Sequence, residues 1–398
     1  VGIVRLLNLF SICIMCAVML TGCWDRIEVN DVAFVLGTAV DKEGSEIRTT
    51  VQIALPGQLG GAGSQGGGGG TSGSKPWYLE SKPGLSIRDS NENEQFSLSR
   101  KENYSHRRIL LFGEDLAKDG IGKYLDVLAR IPQNRLSSFV LVTRGPASKV
   151  ISTNVATEKF PAEMIREIMK QSMKKPRTIK HLANALLTEG LDPVLPVVTP
   201  DKSAPGNDGP PEDTIRLDGI AVFNHDKCTG FLTGKMAQAV VIAMNQAKDP
   251  EIVVPMPGDN GYLFVRLHTT DVSLRPSIKG DSVSVLIKVA ADSTILENES
   301  NYALTSPESI AKLERMIEDD INSEITEAFR KLQKYHSDAL GVGKTIHDVK
   351  PKEWDKLKNR WNTIYPSIDV AVQTRVVVEN TGAVLKPFAR KDGQLKYD

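Results

Sequence analysis

Seven apolar residues, Ile310, Leu313, Ile317, Ile321, Ile325, Phe329 and Leu332, recur at steps of three and four along one stretch of the chain. That spacing puts them on one stripe of an α-helix. Ser306 is a suitable N-cap and Pro307 suits the first helical position, so a helix is predicted over about residues 306–337. A helix of this length with one apolar face needs a partner layer to cover the stripe. Strands are available nearby. Residues 263–271 and 283–289 alternate apolar and polar side chains, and a last strand at 368–378 alternates Ile368, Val370, Val372, Thr374 and Val376. A second helix is predicted from Pro351, with Trp354, Leu357, Trp361 and Ile364 on one face. That spacing assigns the two tryptophans to core packing rather than to a membrane or partner surface.

The N-terminal half mixes the same elements. Residues 32–40 (VAFVLGTAV) form a nearly continuous apolar run that suits a buried strand, and DKEGS after it is turn-forming. Ile47, Thr49, Val51, Ile53 and Leu55 then alternate with more polar neighbours, which completes a β-hairpin. Residues 57–74 hold ten glycines in eighteen positions, a composition that predicts a mobile loop. Further strands are predicted at 106–112 and 136–142, and helical pieces at 114–126, 160–175 and 179–187. The proline-rich polar stretch that follows predicts a linker at residues 200–214. Beyond it, 217–223 and 230–232 suggest a hairpin and 235–246 a helix. The expected organisation is therefore a multi-domain α+β (mixed α/β) protein with sheets packed against helices. An N-terminal α/β domain spans 23–199. A C-terminal α/β region spans 215–387, divisible into 215–260 and 261–387, and a polar tail spans 388–398.

The first residues have a different character. Residues 6–20 carry only Asn8 and Ser11 as polar interruptions, and Arg5 is the one charge before them. A basic residue followed by fifteen largely apolar ones describes a secretory signal and falls short of the roughly 20 residues of a spanning helix. Leu20-Thr21-Gly22-Cys23 has the Leu-small-Gly-Cys form of a bacterial lipobox. Residues 1–22 are thus expected to be a cleaved signal peptide, with Cys23 the site of lipid attachment. An export signal with a chance cysteine is the plainer alternative. With Cys13 and Cys16 in the signal and Cys23 lipidated, only Cys228 remains, which leaves no internal disulfide and no multi-cysteine metal site. The 49 basic and 49 acidic residues balance, so nothing points to nucleic acid or to a strongly charged substrate.

Catalytic signatures are scarce. Gly341-Val342-Gly343-Lys344-Thr345 resembles the end of a P-loop, but the required first glycine is Asp338 and the segment follows a helix rather than a strand. A glycine cap and connector between helices is the better reading, and nucleotide binding is not expected. The six histidines have no metal-ligand spacing, and no G-x-S-x-G elbow occurs. Cys228 reads as a surface or half-buried turn residue rather than a reactive thiol. Lys170, Lys174, Lys175, Arg177 and Lys180 could meet anionic lipid, although a solvated helix face explains them more simply.

Taken in order, several stretches carry a family resemblance. CWDRIEVND directly after the lipobox is similar to the mature start of the Ger(x)C spore germination lipoproteins, the C subunits of nutrient germinant receptors. SHRRILLFGEDLAKDGIGKYLDVLAR, LDGIAVFNHDKCTGFL, QKYHSDALGVGKTIHDVKPKEW and VVVENTGAVLKP resemble further segments of that family in the same order. The resemblance implies a non-enzymatic, extracytoplasmic lipoprotein of the spore inner membrane, with a mixed α/β multi-domain fold. Its partners would be the membrane A and B subunits of the same receptor, and the bilayer itself through the anchor. No catalytic residue, cofactor or metal is carried over. Cys23, bearing diacylglyceryl and N-acyl lipid, is the one position with a defined chemical role. Asp338, Gly341 and Gly343 match a family motif without an assigned role. The rival reading is a solute-binding lipoprotein feeding a transporter, which predicts two similar βα-repeating lobes. A lipid-anchored hydrolase is disfavoured for want of a nucleophile or metal set.

Overall fold

The computed structural model describes residues 2–19, 28, 31–55, 75–131, 133–205, 210–256, 261–280, 282–382, 384–387 and 390–396. Cys23 and the glycine tract at 57–74 lie outside the described residues. In chain order the elements begin with α1 (Gly2–Met19), β1 (Val32–Glu43), β2 (Glu46–Ala54), β3 (Trp77–Gly84), α2 (Ile87–Gln95), β4 (Lys101–Asn103) and β5 (Ile109–Phe112). There follow α3 (Glu114–Asp119), α4 (Leu125–Arg130), β6 (Phe139–Thr143), α5 (Ala147–Ile151), α6 (Pro161–Ser172), α7 (Ile179–Leu187), β7 (Val194–Lys202), β8 (Asp213–Asn224) and β9 (Lys227–Leu232). The rest are α8 (Gly234–Ala243), β10 (Glu251–Pro255), β11 (Tyr262–Lys279), β12 (Ser282–Asn298), α9 (Pro307–Lys334), α10 (Val342–Val349), α11 (Pro351–Leu357), α12 (Trp361–Ile364) and β13 (Asp369–Asn380). Ile3, Leu6, Leu9, Phe10 and Ile12 of α1 are exposed, and no helix among the described residues is long and apolar enough to cross a membrane.

The first sheet runs β3-β2-β1-β5-β6-β7-β8-β9, with the short β4 also paired to β1. Its centre, β1-β5-β6-β7, is parallel, and the strands on either flank are antiparallel. Parallel strands covered on both faces read as unbroken apolar runs, and β5 is such a run, Ile-Leu-Leu-Phe, with no exposed member. Alternation sorts the side chains. Ile109, Leu111 and Leu141 face Ile151, Ala162 and Ile165 of α5 and α6. Leu110, Phe112, Val140 and Val142 face Leu116, Leu128, Ile179 and Leu182 of α3, α4 and α7.

The second sheet, β10-β11-β12-β13, is antiparallel except for the parallel pair β12–β13. α9 covers it with the stripe expected from sequence: Leu313, Ile317, Ile321, Ile325, Phe329 and Leu332 are buried. Ser306 caps the helix by accepting the Ser309 N–H at 3.1 Å, and Ser309 Oγ accepts the Ser306 N–H at 3.2 Å. The helix stops at Lys334, three residues short of the expected end, because His336 takes a left-handed φ of 52°. The polar edge of α9 also shields the sheet. Glu314, Glu318 and Asn322, one turn apart, accept the backbone N–H groups of Val378, Val376 and Thr374 at 2.9, 3.0 and 2.9 Å. An open strand edge invites pairing with other chains, and here those amides are already bonded.

Several sequence expectations need correction. Residues 201–202 and 213–214, placed in a linker, are the paired ends of β7 and β8, with Lys202 opposite Asp213. Pro200 is tolerated there because the β6 pairing ends at Val198, so that half of β7 borders β8 alone. Residues 215–260 do not form a unit of their own: β8 and β9 complete the first sheet and β10 edges the second. α8 packs against both β8 and α9, and one apolar core runs through the seam. β11 and β12 continue well past their expected ends, Pro276 sitting where β10 no longer flanks β11. From the expected polar tail, Lys396 pairs with Asn301 and Ala303. The helix α2 was not foreseen because its buried residues include Ser90, Asn91 and Glu94, which leave no apolar period to read.

Candidate functional site at the domain seam

Between α7 and β7, residues 188–192 form a loop that reaches the C-terminal helices. Gly190, at φ +69°, lies against Gly343, and its carbonyl accepts the Lys344 N–H at 2.8 Å. A Cβ on Gly190 would stand 2.4 Å from the Gly343 carbonyl carbon, so only glycine fits. Glu189 accepts the Trp354 indole N–H at 2.7 Å. Asp192 accepts the backbone N–H of His225 at 2.8 Å and that of Asp338 at 2.7 Å. Asn224 donates to the His336 carbonyl at 2.8 Å. The two halves of the chain are thus clasped by polar contacts above their shared apolar core.

Asp338 is the centre of the clasp. Its carboxylate accepts the N–H groups of Val342 and Gly343, both at 2.8 Å, and the Trp361 indole N–H at 3.0 Å. It therefore caps α10, whose N-cap Gly341 takes a left-handed φ of 74°. Trp354 and Trp361 meet edge to face at 5.2 Å, and Tyr365 packs on Trp361. Burial pushes the Asp338 carboxyl up to about 7 despite these donors, and burial likewise raises Asp192. Beside the clasp opens a cavity of about 420 Å³ lined by residues of both halves, among them Leu186, Glu189, Asp192, Asp338, Trp354 and Trp361.

The sequence-predicted residues fall as follows. Asp338, Gly341 and Gly343 come together, and the group has a structural role. The P-loop-like amides of Val342 and Gly343 bond Asp338, the Lys344 amide bonds Gly190, and the Lys344 ammonium pairs with Asp348. Trp354 and Trp361 are buried, as their helical spacing implied. Cys228 is not a turn residue. It sits buried in β9 on the apolar side facing α3, and burial pushes its thiol up to about 11. The basic cluster disperses: Lys170 pairs with Glu167, while Lys174 donates to Thr270 Oγ1 at 2.8 Å and Asn245 Oδ1 at 2.9 Å. Among the described residues no three His, Cys, Asp or Glu side chains converge to hold a metal ion. Sequence reasoning missed Glu189, Gly190 and Asp192, whose only local signal was a glycine just past a helix.

A second polar cluster lies inside the first domain. Glu94 accepts the Thr49 hydroxyl at 2.8 Å, and Glu102 accepts the Tyr104 hydroxyl at 2.7 Å. The second oxygen of each, Glu94 Oε2 and Glu102 Oε1, is buried without a hydrogen-bond partner. Burial, reinforced by the neighbouring Glu102 charge, pushes Glu94 up to about 9. The consequence for stability has a definite sign. Unfolding releases Glu94 to an ordinary value of 4.5, so between that value and about 9 the folded chain holds a proton the unfolded chain has lost. This group's contribution to stability therefore falls as pH rises through that window. Glu94→Gln keeps an acceptor for Thr49 and cannot ionise. At pH 8 the variant should be more stable than wild type by about 1–2 kcal/mol, with the gain gone near pH 4.5. Urea unfolding at both values checks this; an equal loss at both would show that Glu94 holds no extra proton in the folded chain.

Residues 25–200 match a family model described as "Spore germination protein N-terminal domain", and residues 218–382 match "Spore germination B3/ GerAC like, C-terminal". YfkR of Bacillus subtilis (strain 168), whose name assigns it to spore germination, is 36% identical over 94% of this chain and 97% of its own length. Spore germination protein KC of the same organism is 24% identical over 97% of this chain and 98% of its own. The crystal structure of the GerBC protein superposes with a TM-score of 0.54 at 17% identity, covering 86% of this chain and 97% of that one.

Proposed function

The chain belongs to the Ger(x)C family of spore germination proteins, and from that premise we propose that it is a lipid-anchored, non-enzymatic subunit of a membrane germinant receptor. The observation that carries the reading is the relative at 36% identity along nearly the whole of both chains. The anchor is Cys23, which follows a signal-like apolar run in lipobox form. A single acyl chain binds membranes marginally and two hold firmly, and a diacylglyceryl thioether supplies both. Tethering confines the domains to a thin layer and raises their effective concentration toward membrane-embedded A and B subunits. No cofactor is needed for that role. The solute-binding alternative calls for two similar lobes, whereas the two sheets here differ in strand number, topology and helical cover.

Cys23→Ala tests the proposal. The wild-type chain should sediment with spore membranes through a salt wash and co-purify with A and B subunits after detergent extraction. The variant should appear in the soluble fraction, with a weakened germination response. A variant that stays membrane-bound in spores that germinate normally would sink the anchored reading.

A further inference from the structure

Phe96, at the C-cap of α2, is 89% exposed, more than any other large apolar side chain among the described residues. A braced loop holds it outward. Gln95 donates its side-chain amide to the Arg100 carbonyl at 2.9 Å and accepts the Glu102 N–H at 3.0 Å, while Leu98 packs inward on Ala33, Val35 and Tyr104. The loop ends in Arg100 and Lys101, and Glu92, one turn before Phe96, is already paired with Arg88 at 2.8 Å. Its place in the fold is set by β4. Lys101 pairs with Val32, the first residue of β1, so the loop stands where the chain arrives from Cys23. Eight residues separate Cys23 from Val32, a tether that spans at most about 30 Å. Leu85, 79% exposed, marks the other end of the same strands, where Lys42, Ile47 and Gly84 lie side by side. The nine residues of α2 separate Leu85 from Phe96 by about 14 Å of helix.

We propose that this loop docks on the bilayer, Phe96 entering among the lipid headgroups while Arg100 and Lys101 meet anionic phosphates. The proposal rests on the reading of Cys23 as a lipid anchor. A lone exposed phenylalanine would call for no explanation; this one stands beside two basic residues at the tethered end of the domain. An apolar side chain next to cationic ones is the chemistry of an interfacial membrane contact. A loop already braced loses little freedom on docking, and a short tether keeps it close to the surface. The contact would set the first domain upright on the membrane, with Leu85 turned away from the lipid.

The test uses the full lipidated chain on vesicles of phosphatidylcholine and phosphatidylglycerol. Ser97→Cys and Leu85→Cys, both at exposed positions, are labelled in turn with a nitroxide thiol reagent. Cys228 is buried, and Cys13→Ser and Cys16→Ser are made throughout, so the introduced cysteine alone takes the label. Collisions with a water-soluble nickel chelate report depth. Vesicle binding should cut them several-fold at Ser97→Cys and leave them unchanged at Leu85→Cys, and adding Phe96→Asp should abolish the protection. Equal collision rates at the two sites in a chain that floats with the vesicles overturn the docking and leave the anchor standing. So does protection that survives Phe96→Asp. A parent chain without an introduced cysteine that takes up label at Cys23 and fails to float overturns the anchored reading, and the docking with it.

Discussion

Gly190→Ala, the addition of one methyl group, should lower the stability of the chain by about 2 to 5 kcal/mol. Overpacking a tight contact accounts for about 1–3 kcal/mol of this and the left-handed backbone for a further 1–2. Gly190 stands at φ +69°, and its new Cβ would meet three backbone atoms of Gly343 and Lys344 at 2.4 to 2.7 Å. Neither side can yield cheaply, since both belong to the polar contacts that join the two halves. Gly343→Ala should be milder, about 1–3 kcal/mol, because its Cβ would meet Gly190 Cα and the Trp354 ring at 2.8 Å without backbone strain of its own. Lys344→Ala should change stability by no more than about 0.5 kcal/mol, since it loses only a surface pair with Asp348. The order of the three midpoints in urea is the result to watch. A lysine variant worse than both glycine variants would mean that Gly341 to Thr345 works through its positive charge, as a phosphate loop does, and the structural role assigned to it would be wrong.

Asp338→Ala is expected to cost about 3 kcal/mol at pH 8. The substitution strands the buried N–H groups of Val342 and Gly343 and the Trp361 indole, and it uncaps α10. Asp338→Asn should fall between wild type and alanine, because its oxygen can keep one of those donors while its amide opposes the others. Both variants should also change the pH profile. The Asp338 carboxyl rises from an ordinary value of 3.8 to about 7 in the folded chain, so its contribution to stability falls as pH climbs between those values. The variants carry no titrating group there and lack that part of the slope. Fluorescence of Trp354 and Trp361 reports the same site. An alanine variant with wild-type emission and an unchanged urea midpoint would show that Asp338 is not the cap.

Much of the fold is legible locally. The Ser306 cap, the α9 stripe, the alternation of β13 and the bounds of α7 follow from backbone geometry, which decides by spacing alone which side chains share a face, whereas β2, which alternates in sequence, is buried on both faces from Thr49 onward. Polar elements escape that logic. α2 buries Ser90 and Glu94 because Thr49 of β2 bonds both, and no pattern within residues 87–95 announces that partner. The linker expected at 200–214 failed for a related reason: prolines mark places where a strand lacks one neighbour as readily as places where a strand is absent.

The sequence by itself settled the class of fold, the long helix and its cap, and the family. Tertiary structure alone decided that Asp192 meets Asp338 across 146 residues, that Gly190 lacks a side chain because Gly343 occupies its space, and that three carboxyls border one cavity at the seam. Periodicity is a property of one segment and survives in the order of its residues. A close approach between two segments depends on how whole layers pack, and a glycine or an aspartate reads the same in sequence whichever neighbour it awaits.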